Sequence, residues 1–419
     1  MKHPSVRICS AVALAAGLTF GGGAVAQAAP APSLAPATLA ADSSGFYATP
    51  ATLPANNGDV VRAQPSVFYL DPLKTIPAQA SVQRIMYRSV NSSGVPIAVT
   101  GTVLVPFAAW TGSGPRPLVS YAVGTQGQGD QCAPSRALAA GGEYEGTFIA
   151  GLLARGYSVA VTDYEGLGTA GSHTYMARES QGHAVLDAAR AAQRLGNPQI
   201  VAGGPIALAG YSQGGGASAA AVELATQYAP ELNLKGAYAG AVPADLPAVG
   251  RNLDGGLYTG FLLYAWTGMG ATAGMDLSPY LNDAGRTKIA ATDTECTVQS
   301  IASSGFQDTS KLTASGQKMS ALLTLPALKS VLEEQKIGNG RAPVVPTLLS
   351  HSLLDDVIPF DVGRQLAERW CARGSNVYFD VTAGATHVGG YIAAMPDAFA
   401  FLEGRFSGRP AVGNCWLYG

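Results

Sequence analysis

Two periodicities divide the chain. Residues 82–90 and 97–105 alternate apolar with polar positions, are rich in β-branched and aromatic residues, and flank the turn Asn91-Ser92-Ser93-Gly94, which predicts a β-hairpin. Short apolar runs at 116–123, 157–162, from Ile206 to Gly210, 236–242, 344–350 and 376–381 have the length of buried strands. Helical spacing fills the intervals at 141–155, 181–195, from the serine after Gly210–Tyr211 to about 228, 360–373 and 391–402. Strands alternating with helices at this spacing predict an α/β fold: a mostly parallel central sheet with helices on both faces.

The alternation fails in two places. Residues 46–77 are punctuated by prolines and show little periodicity, so they read as an extended arm over the domain surface. Between 245 and 340 the apolar aromatic segment 257–266, a Gly/Met/Ala stretch through Met275 and short helical pieces near 278–283 and 320–335 replace the strands, which predicts an inserted helical cap. Residues 1–7 are cationic, 8–20 apolar, and Ala26-Gln27-Ala28 is a small-residue cleavage pattern, so 1–28 is expected to be a signal peptide. Its apolar stretch is too short to span a bilayer, and the absence of paired arginines favours general secretion. The expected organisation is then 1–28 signal peptide, 29–45 flexible Ala/Pro-rich leader, 46–244 first part of the core with its arm, 245–340 cap, and 341–419 second part of the core.

Composition narrows the function. A formal charge of -2 without a run of Lys or Arg argues against nucleic acid and against a polybasic membrane surface. After the leader no segment has 18 unbroken apolar residues, so a soluble secreted protein without a transmembrane segment is expected. Cys9 leaves with the signal peptide. Cys132, Cys296, Cys371 and Cys415 remain for an oxidising compartment, where two disulfides are expected in any of three pairings. With no His-Glu-x-x-His and no dinucleotide fingerprint, neither a metal nor a cofactor is expected.

The chemistry centres on Gly210-Tyr211-Ser212-Gln213-Gly214, which follows an apolar strand and precedes small, helix-compatible residues. This is the nucleophile-elbow pattern, in which a side chain at either flanking glycine would collide with a neighbouring element. A serine hydroxyl needs a base that a carboxylate orients, and on this fold the acid and then the histidine follow the serine in the chain. His3 departs with the leader, His173 and His183 precede Ser212, and His351 lies beside an acidic pair, which leaves His387 after the last strand. Asp355 or Asp356 is the acid, with Asp355 preferred; the other can cap the following helix. For the oxyanion, the Gln213 N–H is one donor, and Thr125 or Gln126 in the loop 124–129 is the second.

With Cys132-Ala133-Pro134-Ser135 after that loop, His351-x-x-x-Asp355-x-x-x-Pro359, His387 and the Phe46-Tyr47 arm, the chain resembles the secretory lipase family of α/β-hydrolases over most of its length. The resemblance implies a catalytic set of Ser212, Asp355 and His387 and disulfides Cys132 to Cys296 and Cys371 to Cys415. It implies cleavage of acyl esters of lipids through an acyl-enzyme, with triacylglycerol as the expected substrate, in lipid catabolism. The partners expected are a lipid or small acyl ester and, transiently, a lipid surface, with a monomer presumed. The family places an acidic residue in the oxyanion loop. Here the loop reads Gly124-Thr125-Gln126-Gly127-Gln128-Gly129, which leaves the second donor open. A peptidase or acyltransferase would use the same three residues, and a binding protein on an inactive scaffold would keep the fold alone.

Overall fold

The computed structural model describes residues 45–418. The expected signal peptide, with Cys9 and His3, and all but Gly45 of the expected leader lie outside the described residues. One sheet of nine strands organises the core: β1 (Val60–Ser66), β2 (Ala80–Val90), β3 (Pro96–Pro106), β4 (Leu118–Ala122), β5 (Ser158–Thr162), β6 (Ile206–Tyr211), β7 (Leu234–Gly240), β8 (Thr347–Ser352) and β9 (Val377–Thr382). Their order across the sheet is β1-β2-β3-β5-β4-β6-β7-β8-β9. β1, β2, β3 and β5 pair antiparallel, and every pairing from β5 through β4 to β9 is parallel. β4, β5 and β6 are buried along their whole length, which is why they read as unbroken apolar runs and not as alternations.

The helices are α1 (Pro134–Ala140), α2 (Gly146–Ala154), α3 (Arg178–Arg194), α4 (Gln213–Tyr228), α5 (Leu246–Leu253), α6 (Thr259–Ala273), α7 (Asp283–Thr292), α8 (Thr297–Ser304), α9 (Met319–Leu322), α10 (Pro326–Gln335), α11 (Phe360–Cys371) and α12 (Thr386–Phe406). α5 to α10 all fall between β7 and β8. Asp245 starts this segment by accepting the Ala248 N–H at the head of α5. α6 carries the aromatic run, burying Phe261, Tyr264 and Trp266, and stops at Gly274, whose φ of 61° is the left-handed conformation that suits a helix C-cap.

Three sequence expectations change. The spacing over 141–155 predicts one helix, but Pro134 opens α1, Gly141 ends it at φ 73°, and α2 begins only at Gly146. The arm over 46–77 holds β1, which the prolines concealed. Pro65 sits inside it opposite Gln83, a position open to proline because β1 is an edge strand. The last helix starts at Thr386 instead of 391, so His387 lies in its first turn and not in a loop ahead of it. Gly389 and Gly390 hid that turn by their poor helix propensity. Gly390 is there for another reason: a Cβ would come within 2.7 Å of the Tyr211 hydroxyl.

Chain order reverses at β4. The chain passes from β4 to β5 on one side and returns to β6 on the other, and such a switch point opens a crevice beyond the carboxyl ends of the strands. The loop after β4 carries Thr125, the turn after β6 carries Ser212, and the segments after β8 and β9 carry Asp355 and His387. Cys132 is bonded to Cys296 at the head of α8, and Cys371 at the end of α11 to Cys415. These are the pairings the resemblance implies.

Candidate active site

Ser212 occupies the turn between β6 and α4 with φ 60° and ψ -123°. A side chain at positive φ strains the backbone, and such strain persists only where the surroundings hold it. Here the Ser212 N–H donates to Gly240 O at 3.0 Å, and the Ser212 carbonyl accepts the Gly216 N–H at 2.9 Å. A Cβ on Gly210 would stand 2.3 Å from Gly214 O, and one on Gly214 would stand 2.0 Å from Ala122 O. Only glycine lets strand and helix approach closely enough to form the turn.

The segment after β8 folds back on itself. Asp355 Oδ1 accepts the N–H groups of Val357 at 2.9 Å and Ile358 at 2.8 Å, and Oδ2 lies 2.8 Å from His387 Nδ1. Its side chain is fully buried. Burial is the largest influence on this carboxyl and pushes its pKa up. The hydrogen bond and charge of His387, with the Ile358 N–H, outweigh burial and hold the group below the ordinary carboxylate value. Asp356 takes a different post, its Oδ1 accepting the His387 backbone N–H at 2.8 Å. On the other side Tyr211 O–H donates to the His387 carbonyl at 2.8 Å. The ring and both backbone groups of His387 are therefore fixed. Its Nε2 is buried and has no hydrogen-bond partner among the described residues.

His387 belongs to the wall of a cavity of about 560 Å³ which Ser212, Thr125, Tyr258, Val388 and Ile392 also line. Val388 and Ile392 are exposed at its mouth. A second cavity, a narrow apolar slot of about 30 Å³, runs from Ser212 beneath the inserted helices between Leu246, Val249, Leu262 and Val357. Ser212, Phe261 and Val357 line both. The serine thus stands where the larger cavity meets the narrow apolar slot.

Gln213 opens α4, and the first N–H groups of a helix have no partner within it. Its side chain turns away from the cavity, donating to Gln181 Oε1 at 3.0 Å and meeting His173 Nε2 at 3.0 Å. Burial lowers the His173 pKa to about 4, so the ring is neutral. Its Nδ1 donates to Glu165 O at 2.8 Å, and Nε2 accepts from the Gln213 amide. His351 is also buried and its pKa is lowered by that burial; its Nε2 donates to Ile358 O at 2.9 Å and stands 3.7 Å from Asp355 Oδ2. Nothing in the spacing of His173 revealed its place, whereas His351 stands beside the acid that its spacing in the sequence put next to it.

The two oxyanion-loop candidates separate. Thr125 lines the mouth, with its hydroxyl 2.6 Å from Tyr175 O–H. The Gln126 side chain points inward, donating to Glu143 Oε1 at 3.2 Å. Among the described residues, no group of three or more His, Cys, Asp or Glu is placed to hold a metal ion, and no helix is long and apolar enough to cross a membrane. A hydroxyl on a strained turn, an imidazole held by a buried carboxylate and a helix-start N–H next to the hydroxyl are together the parts that acyl transfer needs.

Comparison with known proteins speaks to the family and the fold. The sequence pattern of the family described as secretory lipase matches residues 133–414. Lipase 10 of Candida albicans is 29% identical over 88% of this chain and 82% of its own length. A protein of Mycobacterium tuberculosis named as a probable inactive lipase is also 29% identical, over 80% of this chain and 76% of its own. Among solved structures, Candida antarctica lipase A superposes with a TM-score of 0.77 at 24% identity, covering 88% of this chain and 87% of that one. A rice cell wall degrading esterase of Xanthomonas oryzae superposes at 0.68 with 20% identity, covering 83% and 98%. At such identities the two structures speak to the α/β-hydrolase fold alone.

Proposed function

The chain belongs to the secretory lipase family of α/β-hydrolases, and from that premise we propose that it hydrolyses carboxylic esters of lipids by way of an acyl-enzyme on Ser212. The observation that carries the reading is His387. Its Nδ1 is tied to buried Asp355 at 2.8 Å, its Nε2 is left without a partner among the described residues, and the residue lines the same cavity as Ser212. Nδ1 holds its proton toward the carboxylate, which leaves Nε2 basic and able to take the hydroxyl proton as Ser212 attacks the ester carbonyl. The Gln213 N–H and the backbone of Thr125 receive the developing oxyanion. His387 then returns the proton to the leaving alcohol, and water repeats the sequence to free the acid. Such donors commonly contribute about 10²–10³ in kcat each.

The same reading assigns the two cavities. The apolar slot beneath α5 and α6 takes the acyl chain, and the mouth bordered by Val388 and Ile392 takes the alcohol and meets the lipid surface. Two disulfides accord with an oxidising, extracellular location. The relative named as a probable inactive lipase raises the alternative of a binding protein on the same scaffold. Against it stands the complete Ser212, Asp355 and His387 set in this chain. A fluorophosphonate probe with p-nitrophenyl ester hydrolysis tests the proposal: wild type should label and turn over, and Ser212→Ala should do neither. Folded wild-type protein that neither labels nor hydrolyses any acyl ester would leave the binding reading in its place.

A further inference from the structure

Three consecutive side chains ahead of α2 grip three consecutive residues of the loop after β4. Glu145 Oε2 accepts the Gly124 N–H at 3.1 Å and the Tyr121 O–H at 2.9 Å. Tyr144 O–H donates to Thr125 O at 3.0 Å. Glu143 Oε1 accepts from Gln126 Nε2 at 3.2 Å and from the Glu145 N–H at 3.0 Å. From the opposite side Thr297 donates through its hydroxyl to Thr125 O at 2.6 Å and through its N–H to Gln126 O at 2.9 Å. The loop that carries Thr125 is therefore clamped from the core and from the inserted helices.

The cost of this arrangement points to a use. Glu143 and Glu145 are 8% and 1% exposed, and no Lys or Arg pairs with either among the described residues. Glu143 Oε2 has no hydrogen-bond partner at all. Burying a carboxyl without a cation is expensive, and a loop that only had to be closed could be held by neutral partners. Burial answers part of that cost by raising Glu143 to about 7 and Glu145 well above the ordinary carboxylate range, against the pull of their hydrogen bonds. The hydrogen bonds themselves fix both the plane and the height of the Gly124–Thr125 backbone.

We propose that Glu143, Tyr144 and Glu145 are positioning residues that hold the Thr125 backbone in register with the Gln213 N–H, so that the two serve one oxyanion. The inference rests on the acyl-transfer reading of Ser212. The clamp contributes to the transition state and little to substrate binding, so its loss appears in kcat and not in KM.

Two measurements on the whole protein test it: kcat and KM with p-nitrophenyl butyrate, and amide hydrogen exchange of the segment 118–128. Tyr144→Phe removes one O–H from a side chain that is half exposed, so the protein folds. Glu145→Ala removes the acceptor, whereas Glu145→Gln keeps it. In Tyr144→Phe and Glu145→Ala, kcat should fall about tenfold or more with KM within about twofold, and exchange at Gly124 to Gln126 should accelerate. Glu145→Gln should retain most of the wild-type kcat. Wild-type kcat in a folded Tyr144→Phe variant overturns the proposal even if Glu145→Ala fails to fold, and so does a Glu145→Gln variant as slow as Glu145→Ala. A wild type inert toward esters would instead remove the acyl-transfer reading, and unchanged exchange at 124–126 in the variants would then remove the clamp separately.

Discussion

Asp356 Oδ1 accepts the backbone N–H of His387 at 2.8 Å, while the neighbouring carboxylate of Asp355 meets the ring of the same histidine. Adjacent acids thus divide the work: one steers the imidazole and the other pins the helix start on which it rides. Asp355→Asn should lower kcat by about 10⁴-fold, because the amide cannot select the tautomer that leaves Nε2 basic. Asp356→Ala should cost about 1 kcal/mol of stability, the loss of a helix-cap acceptor, with about a tenfold fall in kcat. Steady-state ester hydrolysis with thermal denaturation separates them. Equal losses in the two variants would mean that the division is wrong.

The glycines of the elbow make a sharper prediction. Gly214→Ala places a Cβ 2.0 Å from Ala122 O, a backbone atom of β4 that cannot move without shifting the sheet. Expression of folded protein should fail, or Ser212 should lose its labelling by fluorophosphonate. By contrast Gly404→Ala, where a Cβ near the end of α12 meets nothing within 4 Å, should be neutral or slightly stabilising. A folded, fully labelled Gly214→Ala protein would contradict the assigned turn.

Much of this site was legible because its chemistry is tied to strand ends. Ser212 follows an apolar run that could only be a buried strand, and the five histidines left His387 once chain order was imposed. The choice between Asp355 and Asp356 was not legible, since adjacent residues share a loop and differ only in which way the chain folds back to Val357 and Ile358. Thr125 and Gln126 were likewise equivalent until the inward pull of Glu143 on Gln126 was visible. His173 and the Glu143 to Glu145 clamp had no signature, because their partners Gln213 and Gly124 lie 40 and 21 residues away in the chain, with no motif linking them. β1 was missed because its one proline, Pro65, is acceptable only at an edge, and edge position is a property of the whole sheet.

Cys132 and Cys296 close a loop with a sequence separation of 164, and Cys371 and Cys415 one of 44. In the chain-entropy account these correspond to about 5 and about 4 kcal/mol at most. Their consequences for activity should differ. Cys296 precedes Thr297, which bonds Gln126 O, and Gly127 pairs with Cys296 itself. The Cys132→Ser/Cys296→Ser variant should therefore lose kcat as well as melting temperature. Cys371→Ser/Cys415→Ser should melt lower with kcat unchanged. Activity assays below both melting points decide it, and parallel losses of kcat would count against the link between the inserted helices and the loop.

Stability should also vary with pH through Glu143. Its pKa rises from 4.5 unfolded to about 7 folded, mainly by burial and further by Asp163, against hydrogen bonds from the Glu145 N–H and Gln126. Between those values the folded state binds more protons than the unfolded one, so the contribution is present below pH 4.5 and is lost as pH rises through 7. Glu143→Gln keeps the acceptor and removes the ionisation. It should therefore melt higher than wild type at pH 8, by up to about 3 kcal/mol in stability, with the gain shrinking toward pH 5. His173 works in the opposite sense. Its pKa falls from 6.5 to about 4, and its contribution is lost as pH drops from 6.5 toward 4, which partly offsets Glu143 in that window. A Glu143→Gln difference that is the same at pH 5 and pH 8 would contradict the assignment.

The slot beneath Leu246 and Val249 holds about 30 Å³, about the volume share of one water molecule. An acyl chain entering it must displace side chains, so the walls set the chain length. Each methylene that leaves water for such a slot contributes up to about 0.8 kcal/mol, about fourfold in kcat/KM, until the wall is reached. Along a p-nitrophenyl ester series kcat/KM should climb by about that factor per carbon and then stop. Val249→Ala should move the break to longer chains, and Val249→Trp should bring it back toward acetate while leaving acetate hydrolysis within a few-fold of wild type. If instead acetate and octanoate fall together in Val249→Trp, the acyl chain lies in the open mouth beside Val388 and Ile392, and the two cavities have exchanged roles.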